Sequence, residues 1–179
     1  MKILKYLSLS AVLLLVITAC NSSQSLQEYL VEKRDSGEFI SIDLPKSLFK
    51  FDSLELNNQQ QQALASIEKV NVLALKYDET RKDFYQQEKA TIQQILKSEQ
   101  YNELARFKWD KINLVLTYEG NDEAVDEMIL FGSDNSKGLV ILRLLGKNMQ
   151  PAQMTQLAMA LDGVDEDSAA FGNLKSLFE

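Results

Sequence analysis

The sequence predicts an α+β domain in which helices pack on a largely antiparallel sheet. Three observations carry this prediction: helical apolar spacing dominates the first half, strand-like alternation dominates residues 105–145, and helical spacing returns after Pro151. Helices and strands that are segregated along the chain favour such a sheet over repeated βαβ units. The chain is 45% hydrophobic and 25% charged, which is typical of a folded globular domain.

The first half is predicted to contain three helices, at about residues 26–35, 57–68 and 79–98, and two strands, at 39–44 and 70–77. Ser25 and Glu28 fit a capping box at the first helix, and Asn57 or Asn58 can cap the second, with Leu64 and Ile67 facing inward. Pro45 opens a short helical turn. The third helix carries one apolar stripe, made of Tyr85, Ile92, Ile95 and Leu96.

The two predicted strands differ in pattern. In residues 70–77, apolar side chains occur at both odd-numbered and even-numbered positions. This pattern is typical of a strand that is covered on both faces. Residues 39–44 alternate only in part, with β-branched and aromatic members.

The second half is predicted to form a four-strand antiparallel meander followed by a helix. Its strands are marked by apolar runs at 105–109, 112–118, 128–131 and 139–145, and turn-rich residues separate the last three. Leu116 lies in the middle of one alternation and is therefore expected to be buried. After Pro151, helical spacing recurs at Met154, Leu157, Ala158 and Leu161.

The first nineteen residues have the features of a lipoprotein signal peptide. Lys2 and Lys5 give a positive start, and the apolar run that follows is too short for a stable membrane-spanning helix. Residues 17–20, Ile-Thr-Ala-Cys, resemble the bacterial lipobox, which implies cleavage between Ala19 and Cys20 and lipid on the Cys20 thiol. A signal anchor and a leader cut before an incidental cysteine are the alternatives.

These signals divide the chain into four predicted parts. They are a signal peptide at 1–19, a lipidated N-terminus with a short tether at 20–24, a single α+β domain at 25–162 and a C-terminal tail at 163–179.

Several segments resemble the small Bacteroidota lipoproteins of domain of unknown function 4252. The similar segments are residues 39–45, 71–74, 101–104, 118–134 and 137–149, and the resemblance covers roughly 25–161. It implies an envelope lipoprotein, and an envelope-stress setting, without assigning catalytic residues. Residues 21–25 lack the acidic run that resembles a surface-export signal, so the predicted location is the outer membrane, facing the periplasm.

The net charge argues against one class of partner, and the amino-acid composition excludes several kinds of catalytic and metal site. Loss of the leader leaves 17 basic and 26 acidic residues, a formal net charge of −9, which argues against nucleic acid as a partner. The chain has no histidine and one cysteine, so zinc sites built from both and histidine-dependent triads are excluded. The predicted partners are the membrane, through lipid on Cys20, and an envelope protein.

Two acidic clusters, at residues 122–127 and 162–167, are candidate cation sites. Neither has the spacing of a calcium loop, so solvated turns are the favoured interpretation, and no metal or cofactor is predicted. For Arg106 and Arg143, buried ion pairs are favoured over an anion site. Gly132, Gly138 and Gly146 are interpreted as turn glycines at strand ends.

The tail carries apolar residues spaced like one face of a short amphipathic helix, namely Phe171, Leu174, Leu177 and Phe178. Two hypotheses remain open: the segment packs on its own domain, or it binds a partner. The sequence thus predicts a non-enzymatic, partner-binding envelope lipoprotein. A carboxylate-dependent hydrolase of envelope glycans and a structural outer-membrane component are the alternatives.

Overall fold

A computed structural model describes residues 24–45, 56–109, 111–120 and 125–161. Its helices are α1 (Leu26–Arg34), α2 (Asn58–Ser66), α3 (Lys82–Ile95) and α4 (Pro151–Leu161), and a 3-10 turn at Glu79–Arg81 precedes α3. Its strands are β1 (Ile40–Pro45), β2 (Ile67–Lys76), β3 (Tyr101–Trp109), β4 (Ile112–Gly120), β5 (Val125–Asp134) and β6 (Gly138–Met149).

All six strands join one antiparallel sheet in the order β1-β2-β6-β5-β4-β3. The predicted α+β class is therefore confirmed, as are the meander of β3 to β6 and the separate pair β1 and β2. The pair joins the meander through β2 and β6, where Leu73 lies opposite Ile141. As a result, β2, β6 and β5 form the middle of the sheet, and β1 and β3 are its edges.

Side-chain caps fix the starts of the first two helices, as the sequence predicts. The Ser25 hydroxyl accepts a hydrogen bond from the Glu28 amide, and the Glu28 carboxylate accepts one from the Ser25 amide. Asn57 and Gln60 form the same reciprocal arrangement at α2. Such caps satisfy amides that the first helical turn leaves without partners.

One face of the sheet is covered by α1 and α3, and we call it the α1/α3 face. The helices contribute a closely packed set of buried side chains, Leu26, Tyr29, Leu30, Tyr85, Ile92, Ile95 and Leu96. These pack on buried strand residues, which include Leu73, Ile129, Phe131, Leu139 and Ile141. Edge-to-face ring pairs, Tyr29 with Phe39 and Tyr77 with Tyr85, connect the helices to the strands.

The opposite face carries α2 and α4, and we call it the α2/α4 face. Its buried cluster includes Ala63 and Ile67 near α2, Met154 and Leu157 on α4, and sheet residues such as Met128. Nine further apolar residues pack against this cluster while only partly buried, namely Ile42, Leu44, Leu56, Leu64, Leu104, Leu116, Val140, Leu142 and Leu144. Two partly buried residues, Tyr77 and Phe84, have this role on the α1/α3 face.

Two expectations from the sequence are wrong in detail. Ile67 is buried, as expected, but it begins β2 instead of lying in the second helix; Leu64 faces the core while partly buried, and Ala63 is the buried residue of α2. Leu116 has the predicted alternation, but it lies on the α2/α4 face and is only half-buried. Val115 and Thr117, which point to the α1/α3 face, are the more buried neighbours.

The glycine prediction is correct at one of its three positions. Gly138 lies at the β5–β6 turn with a φ of 136°. Gly132 and Gly146 lie within β5 and β6 instead of at their ends. A Cβ at Gly146 would meet the Ser66 carbonyl oxygen and the Met149 sulfur, so close approach of α2 to β6 requires glycine there. The helical turn predicted after Pro45 lies outside the described residues.

Candidate functional site

Ile40 and Phe107, the two most exposed large apolar side chains described in the sheet, lie at the two ends of one cross-strand row on the α2/α4 face. Cross-strand pairing aligns one residue from each strand in this row, which we call the outer row: Ile40, Ala74, Val140, Gly132, Leu114 and Phe107. Phe107 is 48% exposed and Ile40 is 38% exposed, whereas most large apolar side chains of the sheet are buried or half-buried. Side chains of α2 and α4 pack nearer the opposite end of the strands, against Val70, Tyr118 and Met128.

Neighbouring side chains fill the space beside Gly132 in the middle of the outer row. A Cβ at Gly132 would lie 3.1 Å from Leu114 Cδ2 and 3.2 Å from Val140 Cγ1. The two neighbouring side chains therefore close over the glycine from both sides. Ala74 and Gly132 are themselves buried, so the exposed apolar area of the row is concentrated at Phe107 on edge strand β3 and at Ile40 on edge strand β1.

A buried ion pair lies on the α1/α3 face. The Arg143 guanidinium donates to Glu127 at 2.5 Å, and both side chains are about nine-tenths buried. Arg143 also donates to Gln27 on α1. Burial raises the pKa of the adjacent Tyr101 hydroxyl, and the charge of Glu127 raises it further.

Three polar atoms around this ion pair are buried without a hydrogen-bond partner among the described residues. They are Thr117 Oγ1, Glu127 Oε1 and Arg143 Nε. Burial of polar atoms without partners is unfavourable. The three unpartnered atoms therefore lower the stability that this cluster contributes to the fold.

A second buried carboxylate, Glu88, connects α3 to α1. Glu88 accepts from the Tyr29 hydroxyl at 2.8 Å and from Lys33 Nζ at 2.9 Å, so both of its oxygens are bonded. Sequence reasoning missed this network. The signal was present, because Glu88 falls between Tyr85 and Ile92 on the inward stripe of α3.

Two other carboxyl groups are held in the ionised form. The Ser136 hydroxyl and the Ser136 and Lys137 amides donate to Asp134 and lower its pKa. Burial raises the pKa of Asp43, but hydrogen bonds from Asn71 and Lys69 outweigh burial and lower it overall. A general acid at neutral pH needs a raised pKa, so neither group is suited to that role.

A surface depression of about 490 Å³ lies beside the 3-10 turn and is lined by Glu38, Leu75, Tyr77, Glu79 and Arg81, among others. Its charged groups are already bonded within the protein. Arg81 pairs with Glu38, and the Tyr77 hydroxyl donates to Glu79 at 2.8 Å.

The structure places the candidate site residues predicted from the sequence in separate parts of the fold. Arg143 is in a buried ion pair, as predicted, whereas Arg106 pairs with Glu103 at 2.6 Å on the exposed surface of β3. Arg106 is exposed because β3 is an edge strand. Of the first acidic cluster, Asp126 is exposed and Glu127 is buried.

Several candidate residues lie outside the described part of the chain. They are Ala19 and Cys20, residues 122–124, the second acidic cluster at 162–167, and Phe171, Leu174, Leu177 and Phe178. Among the residues that are described, no group of three acidic side chains is placed to hold a metal ion. The described helices are all too short or too polar to cross a membrane.

The decisive comparison is with protein families. Residues 32–157 match the model of the family described as Domain of unknown function (DUF4252). The chain belongs to this family. The DUF4252 match begins within α1, ends within α4 and contains all six strands. Comparisons with curated proteins and with solved structures found no match.

Proposed function

We propose that this DUF4252 protein is an outer-membrane lipoprotein of the Bacteroidota type that binds a protein partner and catalyses no reaction. In this proposal, lipid on Cys20 anchors the domain to the membrane, facing the periplasm, and the setting is envelope stress. The lipobox-like residues 17–20 support the anchor, and the setting is what the resemblance of the sequence to Bacteroidota lipoproteins implies.

The observation that carries the binding proposal is the outer row. An exposed phenylalanine at a sheet edge, next to half-buried apolar side chains, is a candidate protein contact site. Aromatic side chains at the centre of such contacts contribute large shares of binding energy. Phe107 is therefore the residue that we expect to matter most for partner binding.

The ion pairs and lowered pKa values of four carboxyl groups support a binding function over hydrolysis. Glycoside hydrolysis needs one carboxyl that is protonated near neutral pH and a second at a defined separation. The buried carboxylates Glu88 and Glu127 are each paired with a cation, and Asp43 and Asp134 have lowered pKa values. These four groups have structural partners instead of the environment of a general acid.

Tethering explains how a modest apolar surface can be sufficient. Two proteins held at one membrane meet at a raised effective concentration, so weak contacts give stable association. The tether of residues 20–24 keeps the domain close to that membrane.

Site-specific photo-cross-linking in cells tests the binding proposal. A benzophenone amino acid at position 107 is expected to give one specific cross-linked protein, and the same probe at exposed Gln93 on α3 is the control. Loss of the product on Leu114→Ser would support the outer row as the contact. The proposal fails if position 107 gives no product above the Gln93 control. Loss of glycan turnover on single Asp or Glu substitutions would then favour the hydrolase.

The anchor has its own test. Cys20→Ala is expected to remove the lipid and to move the protein into the carbonate-soluble fraction. Retention of the variant in carbonate-washed membranes would indicate a transmembrane anchor instead. Digestion by protease added to intact cells would contradict the periplasmic orientation.

A further inference from the structure

We infer that the partner binds to β3 as an extended segment, added alongside this edge strand, in which acidic residues alternate with apolar ones. This inference rests on the proposed partner binding and deepens it, because it names the chemistry of the segment that Phe107 would contact. Its basis is the edge position of β3 and the two cations, Arg106 and Lys108, on either side of Phe107.

β3 is the more suitable of the two sheet edges. Of the described strands, β4 alone pairs with β3, so the outer edge of β3 retains backbone N–H and C=O groups that a further strand can bind. β1, the opposite edge, is six residues long and ends at Pro45, which has no N–H to donate. The Asp43 carboxylate on β1 already accepts hydrogen bonds from Lys69 and Arg34.

A bulge sets the length of the contact. The register of pairing shifts between Glu103 and Ala105, where β3 has one residue more than β4. Such a bulge interrupts the backbone ladder and bends the strand. Regular pairing with a partner segment is therefore confined to residues 105–109, which extend over about 17 Å.

Over these residues, the two faces of β3 differ in charge. Phe107 lies opposite Leu114 and belongs to the outer row, on the α2/α4 face. Arg106 and Lys108 alternate with Phe107 and point to the α1/α3 face, as does Val115, which lies opposite Arg106. Residues 106–108 are all exposed. A segment that pairs with β3 thus meets two cations on one face and an apolar ring on the other.

Both cations are accessible to a partner. Arg106 pairs with Glu103 at 2.6 Å, but both side chains are about half-exposed, and exposed ion pairs of this kind are weak. None of the carboxylates within the described ranges forms an ion pair with Lys108. Opposite charges that face each other across two strands stabilise the pairing. Acidic residues opposite Arg106 and Lys108 therefore fit this edge.

The same charges disfavour a second copy of the chain. A two-fold axis between two copies would pair β3 with β3 in antiparallel directions. An axis at Phe107, which pairs all of residues 105–109, places Arg106 opposite Lys108 twice. An axis at Arg106 or at Lys108 places that cation opposite itself. Like charges directly opposite each other are destabilising, so the segment that fits is an acidic one from a different protein.

A synthetic peptide tests the chemistry of the edge. The probe is a peptide of the same length as β3 in which glutamate alternates with valine, and lysine replaces every glutamate in the control peptide. Each is added to the full chain, purified with its lipid in detergent micelles, and amide hydrogen exchange is followed by mass spectrometry. The acidic peptide is expected to slow exchange at residues 105–109 on the order of tenfold, because strand pairing protects the amides. The lysine peptide is expected to leave exchange unchanged.

Charge reversal at one position sharpens the test. Lys108→Glu is expected to weaken binding of the acidic peptide on the order of tenfold and to introduce protection by the lysine peptide. Lys82→Glu, which changes an exposed lysine on α3, is the matched control and is expected to do neither. The acidic peptide with every backbone nitrogen methylated is expected not to protect β3, because it cannot donate hydrogen bonds to the strand.

The inference is overturned if the acidic peptide gives no protection at residues 105–109, or if the lysine or methylated peptide protects them equally. Protection that rises with the concentration of the protein alone would indicate a second copy as the occupant and would also overturn it. A cross-link from position 107 in cells, together with a negative peptide result, would contradict this inference and leave partner binding intact. Absence of that cross-link would contradict partner binding itself.

Discussion

The two faces of the sheet come from the same alternating strands, yet they differ in how completely they are covered. On the α1/α3 face, Ile129 is 0% exposed and lies among buried aromatic side chains. Its neighbour Leu130 points to the α2/α4 face and is only half-buried. Alternation therefore assigns a residue to a face, but the helices above that face decide how far the residue is removed from water. The less covered face is where we expect binding.

The largest expected effect comes from the buried ion pair of the α1/α3 face. Arg143→Met leaves the Glu127 carboxylate buried without a cation, and we expect the free energy of unfolding to fall by about 3–5 kcal/mol. The double variant Glu127→Leu/Arg143→Met is expected to recover most of this loss. Urea unfolding followed by circular dichroism measures both.

The exposed pair Arg106 and Glu103 is the matched control for that experiment. Arg106→Met is expected to change the free energy of unfolding by less than about 1 kcal/mol, because exposed ion pairs contribute little. A loss as large as that of Arg143→Met would contradict the distinction between the covered face and the sheet edge.

Two adjacent residues test the comparison of the faces most directly. Ile129→Ala removes a fully buried side chain and is expected to destabilise the protein by about 3–4 kcal/mol, whereas Leu130→Ala is expected to cost about 1–2 kcal/mol. Leu116→Ala should resemble Leu130→Ala for the same reason. Equal losses at 129 and 130 in urea unfolding would show that both faces are covered to the same extent.

The turn between β5 and β6 gives a pH-dependent prediction. Because hydrogen bonds from Ser136 and Lys137 lower the Asp134 pKa in the folded state, the carboxylate stabilises the fold above its ordinary pKa of about 4. This stabilisation is lost as pH falls through the lowered value. Asp134→Ala is therefore expected to cost about 1–2 kcal/mol at pH 7, and the difference from wild type should shrink below about pH 4 in urea titrations. A difference that is constant down to pH 2 would contradict the assignment.

The smallest expected effect on stability is at Phe107. Phe107→Ser removes a half-exposed ring at the sheet edge and is expected to change the free energy of unfolding by about 0.5 kcal/mol or less. Capture of a partner should nevertheless be lost. A large destabilisation measured by thermal unfolding would show that Phe107 is part of the core instead of a contact surface.

Local patterns were enough to predict the elements and the class of fold. The capping residues at Ser25 and Asn57, the stripe on α3 and the alternation of β4 are all readable over a few residues. Ile67 was misassigned because an apolar residue at a helix end also fits a strand start. Gly132 was misassigned because the side chains that fill its space, from Leu114 and Val140, come from neighbouring strands.

The candidate site was harder to predict because it depends on which strands are neighbours. The outer row combines residues from six strands, and its order follows from the pairing of β2 with β6, which no short motif encodes. The ion pair was foreseen only in part. Arg143 was expected to have a buried partner, but Glu127 was grouped with solvated acids because the sequence does not show that β5 lies in the middle of the sheet.

The pairing of β2 with β6 also has a consequence for the order of folding. β3 to β6 are connected by short hairpins, so they can assemble from contacts that are close in sequence. β1 and β2 form an antiparallel pair whose connection contains α2, and two strands alone are only marginally stable in water until a third strand joins them. That third strand is β6, the last of the described strands. We therefore expect β1 and β2 to join the sheet after β3 to β6 have assembled, which pulse-labelling hydrogen exchange during refolding would measure.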